Sequence, residues 1–315
     1  MSLKMKKIIL IIVLIIGGLQ SFAQQDPQYS LYMFNPVAVN PAYSGSREVL
    51  SAVLVHRSQW VGLDGAPETQ ALAINTPLRN KKMGLGLQIV NDKIGAKTTQ
   101  NITAAYAYRL KLGGGKLAFG LKAGIINYNF NWDKIEYKDG GDAIPEKSSN
   151  GFLIPTVDFG IYYNTRTLYF GVAAEHLNQS SFAEAQSSDN TPLIRGSNGS
   201  KKGINLIGTV GKAFILNDNF VLKTSALIRM ANNEGNIDLS AGLLIQNKVM
   251  FGMSFRSSEA LIFIAELNIS KNVRMGMAYD VGWSKVASST SGSFEVFVGY
   301  DVGLFKSKVV SSRYF

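Results

Sequence analysis

Only two histidines, His56 and His176, stand in the 315-residue chain, and there is no cysteine. Catalytic chemistry therefore has few starting points. A Ser-His-Asp site needs a nucleophile, a base and an orienting group within hydrogen-bond reach. His56 falls in an alternating apolar segment beside Arg57, and His176 opens a polar loop; neither lies in a GxSxG-like or HExxH-like context. Both read as aromatic-belt or loop histidines, and the chain reads as non-enzymatic. Asp139, Asp142 and Asp189 offer carboxylates to Ca²⁺, but their spacing does not match an EF-hand-type loop, and solvated loop carboxylates describe them better. Asn101-Ile102-Thr103 matches a glycosylation acceptor by chance. Gly113-Gly114-Gly115 is a hairpin turn, since no helix follows to cradle a phosphate. Without cysteine there is no disulfide, thiolate metal site or thiol nucleophile. No cofactor or metal is expected.

Two stretches carry residue types suited to binding instead. Ser58-Gln59-Trp60-Val61-Gly62, followed by Gly65-Ala66-Pro67, is either an ordinary hairpin loop with Trp60 in an interfacial belt or a loop shaped to pack inward or hold a partner. Trp and Arg, here Trp60 and Arg57, are the types that dominate binding hot spots. The second stretch is residues 24–46, QQDPQYSLYMFNPVAVNPAYSGS. Pro27, Pro36 and Pro41 exclude a continuous helix, because each lacks an N–H and fixes φ. Asn35-Pro36 and Asn40-Pro41 are turn-starting pairs. Yet Tyr29, Leu31, Tyr32, Phe34, Val37, Val39 and Tyr43 make the stretch too apolar for a solvated linker.

The elements that must position these residues are strands. Residues 1–23 are set aside as a signal peptide: Lys4, Lys6 and Lys7 precede an unbroken apolar run, and Ser21-Phe22-Ala23 fits a small-x-small cleavage site after Ala23. The run is too short for the ~20 residues of a spanning helix. Those three lysines supply three of the ten net positive charges; the rest are scattered and suit contacts with anionic lipid headgroups. After Ser46, segments of about ten residues alternate in polarity between turns, the pattern of a transmembrane β-barrel. Val273, Met275, Met277 and Tyr279 share one face and Arg274, Gly276, Ala278 and Asp280 the other. The polar faces gather Arg109, Lys122, Asp158, Lys223, Arg229, Glu266, Arg274, Asp280 and Glu295.

A soluble sandwich would turn those polar faces to water, whereas a barrel would turn them to its lumen. Absence of long helical runs, abundant glycine on the polar faces, aromatics near strand ends and the terminal Arg313-Tyr314-Phe315 favour the barrel. About fourteen antiparallel strands are expected over residues 47–315, an even number, with short periplasmic turns, longer outer loops and both termini periplasmic.

The two binding stretches also carry a resemblance. Residues 25–45 (QDPQYSLYMFNPVAVNPAYSG) and 57–70 (RSQWVGLDGAPETQ) resemble the opening of the PorP/SprF family, outer-membrane proteins of the type IX secretion and gliding machinery of Bacteroidetes. Residues 89–95 (IVNDKIG) and 105–110 (AYAYRL) look like weaker signatures of that family, and the rest is similar in architecture. The resemblance implies an integral outer-membrane component that supports secretion or surface anchoring of a cargo protein such as an adhesin. Outer loops would face that partner, while periplasmic turns and the N-terminal stretch would engage other subunits of the apparatus. A porin-like passive channel is the alternative. Nucleic acid is not a partner, since the chain is exported and has no basic stripe.

An irregular backbone cannot face lipid, because each unpaired N–H or C=O would cost several kcal/mol. A lumen of about fourteen strands is wide enough to admit one. Residues 24–46 are therefore expected at the periplasmic end of the barrel, anchored by Tyr32, Phe34 and Tyr43 and satisfied by Arg109, Lys122, Arg274 and Glu295. The candidate plug or partner contacts are Tyr32, Phe34, Asn35, Asn40, Tyr43, Arg57, Gln59, Trp60 and Gly62.

Overall fold

The structure, a computed structural model, describes residues 26–131, 152–179, 203–231, 234–257, 260–284 and 286–304. The signal peptide with Gln24 and Gln25, the carboxylates Asp139, Asp142 and Asp189, and the terminal Arg313-Tyr314-Phe315 lie outside the described residues. Fourteen strands follow one another: β1 (Leu50–Ser58), β2 (Glu68–Pro77), β3 (Met83–Ile94), β4 (Lys97–Leu112), β5 (Gly115–Phe130), β6 (Phe152–Asn164) and β7 (Leu168–Glu175). The second half continues with β8 (Asn205–Ile215), β9 (Phe220–Ala231), β10 (Glu234–Ile245), β11 (Val249–Arg256), β12 (Ala260–Asn268), β13 (Val273–Gly282) and β14 (Ser293–Val302). Each pairs antiparallel with its neighbours in sequence. β14 returns to β1, with Leu50 opposite Val302 and Ser58 opposite Phe294, so the barrel closes without a strand from the C-terminal tail.

Period-two patterning explains both surfaces. In β1, Leu54 points outward at 55% exposure while Val53 and Val55 point inward at 3% and 2%. In β13, Met275 and Met277 face out and Arg274, Ala278 and Asp280 face in. The outer face is an apolar band in which Phe251, Phe263, Val296 and Val298 are exposed. Closure leaves no sheet edge, so every strand can pair on both sides. Among the described residues no helix is long and apolar enough to cross a membrane; the strands do the crossing.

The two barrel ends differ. At the end bearing the start of β1 and the end of β14, the connections 78–82, 113–114, 165–167, 216–219, 246–248 and 269–272 are all short. The longer connections, 59–67, 131–151, 176–204 and 283–292, all lie at the opposite end. That opposite end is not uniformly long-looped, however. β3 and β4 extend towards each other until only Gly95 and Ala96 remain between them, and Gly95 adopts φ +56°, which a two-residue hairpin turn needs. By the convention of short periplasmic turns, the short-turn end is periplasmic.

Candidate functional site

From Asp26 to Glu48 the chain lies inside the barrel as an irregular strand of three 3₁₀ turns, Tyr32–Phe34, Pro36–Ala38 and Pro41–Tyr43. Pro36 and Pro41 each begin a turn, where a missing N–H costs nothing. The turns satisfy part of the backbone internally, through Phe34 N to Leu31 O (2.9 Å), Ala38 N to Asn35 O (3.1 Å) and Tyr43 N to Asn40 O (3.2 Å). Asn40 also caps its turn, accepting from Ala42 N at 2.9 Å. Many of the remaining polar groups are met by the lumen wall, although Asn35 Nδ2 and Ser44 Oγ are buried without a hydrogen-bond partner among the described residues.

At the long-loop end, Asp26 Oδ2 accepts from Asn205 Nδ2 at 2.7 Å and stands 2.7 Å from His176 Nε2. Asn236 donates to Gln28 at 2.9 Å. The Arg256 guanidinium grips Asp238 at 2.9 Å and donates to Tyr29 O at 3.2 Å. Below these, Glu295 accepts the backbone N–H of Ser30 (2.7 Å) and Leu31 (3.0 Å). Arg57 closes the cluster, donating to Ser30 Oγ at 2.8 Å, Asp280 at 2.8 Å and Glu295 at 3.1 Å.

Midway down, Tyr32 Oη meets Ser225 Oγ at 3.0 Å, and Phe34 stacks on Phe297 with centroids 4.6 Å apart. Asn40 Nδ2 donates to the backbone oxygens of Ile161 (3.0 Å) and Val172 (3.3 Å), tying the segment to β6 and β7. Tyr43 packs edge-on against Tyr162 at 5.4 Å. At the short-turn end, Arg109 donates to Ser44 O, Asn75 accepts from Gly45 N at 3.0 Å, Arg47 pairs with Asp301 at 2.9 Å, and Glu48 pairs with Lys116 and Lys81. Burial works against ionising Glu48, but Lys116 and Lys81 outweigh it and hold its carboxyl below the ordinary value.

The segment is therefore not confined to the periplasmic end, as the sequence predicts; it runs the height of the lumen. Its upper residues find carboxylate and guanidinium partners (Glu295, Arg57, Arg256) near the long-loop ends of their strands, so its backbone groups are satisfied there as well as below. Of the candidate residues, Tyr32, Phe34, Asn35, Asn40, Tyr43 and Arg57 are all buried in the lumen. Gln59, Trp60 and Gly62 stand apart in the loop beyond β1. That loop is held onto the β13–β14 connection by Trp60 N to Ser293 Oγ (3.1 Å) and Val61 N to Gly292 O (2.9 Å), and Gly62 is exposed. Among the expected wall partners, Arg109 and Glu295 hold the segment, Arg274 reaches Phe34 O only at 3.5 Å, and Lys122 turns instead to Asp158 at 2.9 Å.

Sequence reasoning missed Asp26, Ser30, His176 and Asn205, polar residues far apart in sequence. Glycine on the polar faces is expected to relieve crowding in a lumen, and the structure shows what it makes room for. A Cβ on Gly84 would fall on Ser44 O, one on Gly120 on the backbone of Ala42, and one on Gly160 on the Asn40 side chain. These glycines form a cradle for residues 40–44. Replacing Gly120 with Val is expected to dislodge that part of the segment, since backbone stands in the way and overpacking costs about 1–3 kcal/mol or more. Limited chymotryptic digestion of the folded barrel should then cleave after Tyr43; unchanged resistance would contradict the cradle.

Asp26, Glu175 and His176 bring potential metal-ligand atoms within 4.8 Å of one another. His176 already engages Asp26 and, through Nδ1 at 2.9 Å, Thr156, while Glu175 lies 3.6 Å from Lys122. The group is complete as a hydrogen-bond and ion-pair cluster.

A closed fourteen-stranded barrel with an apolar outer band and an occupied polar lumen defines an integral outer-membrane protein. The sequence pattern of the type IX secretion system membrane proteins PorP/SprF matches residues 21–300, and the chain belongs to that family. Membership places it with the other components of that secretion apparatus. No curated protein matches the sequence significantly. Among solved structures, the Ralstonia pickettii toluene transporter TbuX is similar over 84% of this chain and 92% of its own, at 13% identity and a TM-score of 0.47. The P. putida toluene transporter TodX is similar over 82% and 90%, at 9% identity and 0.46. Acinetobacter baumannii Omp33 is similar over 81% and 98%, at 8% identity and 0.44.

Proposed function

We propose that this protein is a non-enzymatic, non-conducting platform that supports secretion or surface anchoring of a cargo protein such as an adhesin. The observation that carries the reading is the occupied lumen. A passage for solutes would leave its polar wall to water, but here residues 26–48 run through the lumen and bond to wall groups near both ends, Asn205, Glu295 and Arg57 at one and Arg109, Asn75 and Asp301 at the other. What the barrel offers a partner is then its two ends. The long-loop end, with the Trp60 loop fixed to the β13–β14 connection, faces the cargo. The short-turn end, where the segment joins β1 through Arg47 and Glu48, faces other subunits of the apparatus. Family membership supports the setting, and Trp60 with Gln59 and Gly62 are the proposed partner contacts at the outer end.

Deleting the gene should remove one specific protein from the cell surface while leaving small-solute uptake unchanged. Surface proteomics paired with an uptake assay checks this. Loss of uptake with an unchanged surface would instead make the protein a passive channel.

A further inference from the structure

At the short-turn end the segment leaves a cavity of about 300 Å³ between itself and the wall. Four cations line it, Arg47, Lys223, Lys271 and Arg274, against two carboxylates, Glu266 and Asp301. Pairing does not cancel this excess. Asp301 is already taken by Arg47 at 2.9 Å and lies 3.8 Å from Arg274 Nε. Arg274 is only 7% exposed, and its Nε has no hydrogen-bond partner among the described residues. Lys223 makes no hydrogen bond or ion pair among the described residues; its ammonium stands 5.6 Å from the Phe34 ring centroid. Glu266 is the other carboxylate, so the lining keeps two positive charges in excess, and a partly buried cavity with that balance favours an anion.

We propose that this cavity is a binding site for a dicarboxylate group, held by Lys223 and Arg274. Two carboxylates would balance the two uncancelled charges. The guanidinium fork of Arg274 suits a planar carboxylate, and Lys223 supplies a second point charge. The volume exceeds that of a lone phosphate ion and fits two carboxylates with their connecting atoms. Two sources share this chemistry: a free dicarboxylic acid, or neighbouring acidic side chains of a peptide entering from the periplasmic side. The assignment does not depend on what cargo the cell displays.

The test is calorimetry on the purified full-length barrel in neutral detergent at low salt. The probes are succinate, a blocked Asp-Gly-Glu peptide, its Asn-Gly-Gln counterpart and inorganic phosphate. At least one carboxylate probe should bind and the amide peptide should not. Preference for the peptide identifies a protein segment as the source, and equal binding of succinate identifies a free acid. Lys223→Gln should weaken binding by about tenfold or more, the loss of one charge-assisted contact. Glu266→Gln, which removes a competing anion, should tighten it, and heat-modifiability checks that both variants are folded. The proposal is overturned if neither carboxylate probe binds at millimolar concentration, if phosphate binds as tightly, or if Lys223→Gln changes nothing.

Discussion

Deletion of residues 26–46 is expected to turn a silent protein into a conducting one. In planar bilayers the full-length chain should show no steady conductance, and the deleted form should show a persistent open level. The wall does not need the segment, because all fourteen strand pairings, including β1 with β14, are made between strands alone. Eight strands would leave an interior filled by their own side chains, but fourteen enclose more space than theirs can fill. Here many inward side chains are also small: Gly84, Gly120 and Gly160 present no Cβ where the segment passes, and Ala73, Ala105, Ala107 and Ala118 are buried behind it. Removing the segment therefore opens a continuous gap that water fills, and the wall carboxylates and guanidinia can be hydrated in place. A deleted form that assembles but stays silent would show that something other than residues 26–46 closes the barrel. A full-length protein that conducts steadily would remove the argument for a platform.

The strands were legible because a wall with lipid on one side and a polar lumen on the other imposes period two on every strand, as in Arg274, Met275, Gly276, Met277 and Ala278. Composition left residues 24–46 the lumen, the periplasmic rim or another protein, since they are too apolar for water and too irregular for lipid. It could not show how far they reach. That depends on matches such as Ser30 with Glu295, 265 residues apart, and Asp26 with His176, 150 apart, which no local pattern encodes. His176 looked like a loop histidine because its partners lie on other elements. The Trp60 loop gave the opposite difficulty. Its Trp, Gln and Gly signalled a specialised role, but not whether it would turn inward or outward. The structure ties it to the β13–β14 connection, through Trp60 N to Ser293 Oγ and Val61 N to Gly292 O, at the far end of the chain. Arg57, in the same motif, lies on the inward face of β1 and so parts from Trp60 within three residues.

Arg57→Ala is expected to be the most destabilising single substitution in the lumen. The side chain is 2% exposed and is the shared counter-ion of Asp280 and Glu295, which are themselves 4% and 0% exposed. Deleting one member of such a buried group leaves charge uncompensated, at a cost of about 3–5 kcal/mol. It also removes the donor that orients Ser30 Oγ, so the segment loses its link to β1. Arg57→Lys should fall between Ala and the native residue, since an ammonium keeps the charge but cannot span Ser30, Asp280 and Glu295 with one rigid fork. The decisive variant adds Asp280→Asn to Arg57→Ala. Neutralising one of the stranded carboxylates should recover part of the loss, so the two changes together cost less than their sum, which marks a shared network rather than lost packing. The measurement is the denaturant midpoint of the detergent-solubilised barrel, followed by the shift in its electrophoretic mobility on unfolding. Equal midpoints for Arg57→Ala and the native chain would show that this cluster holds neither the wall nor the segment.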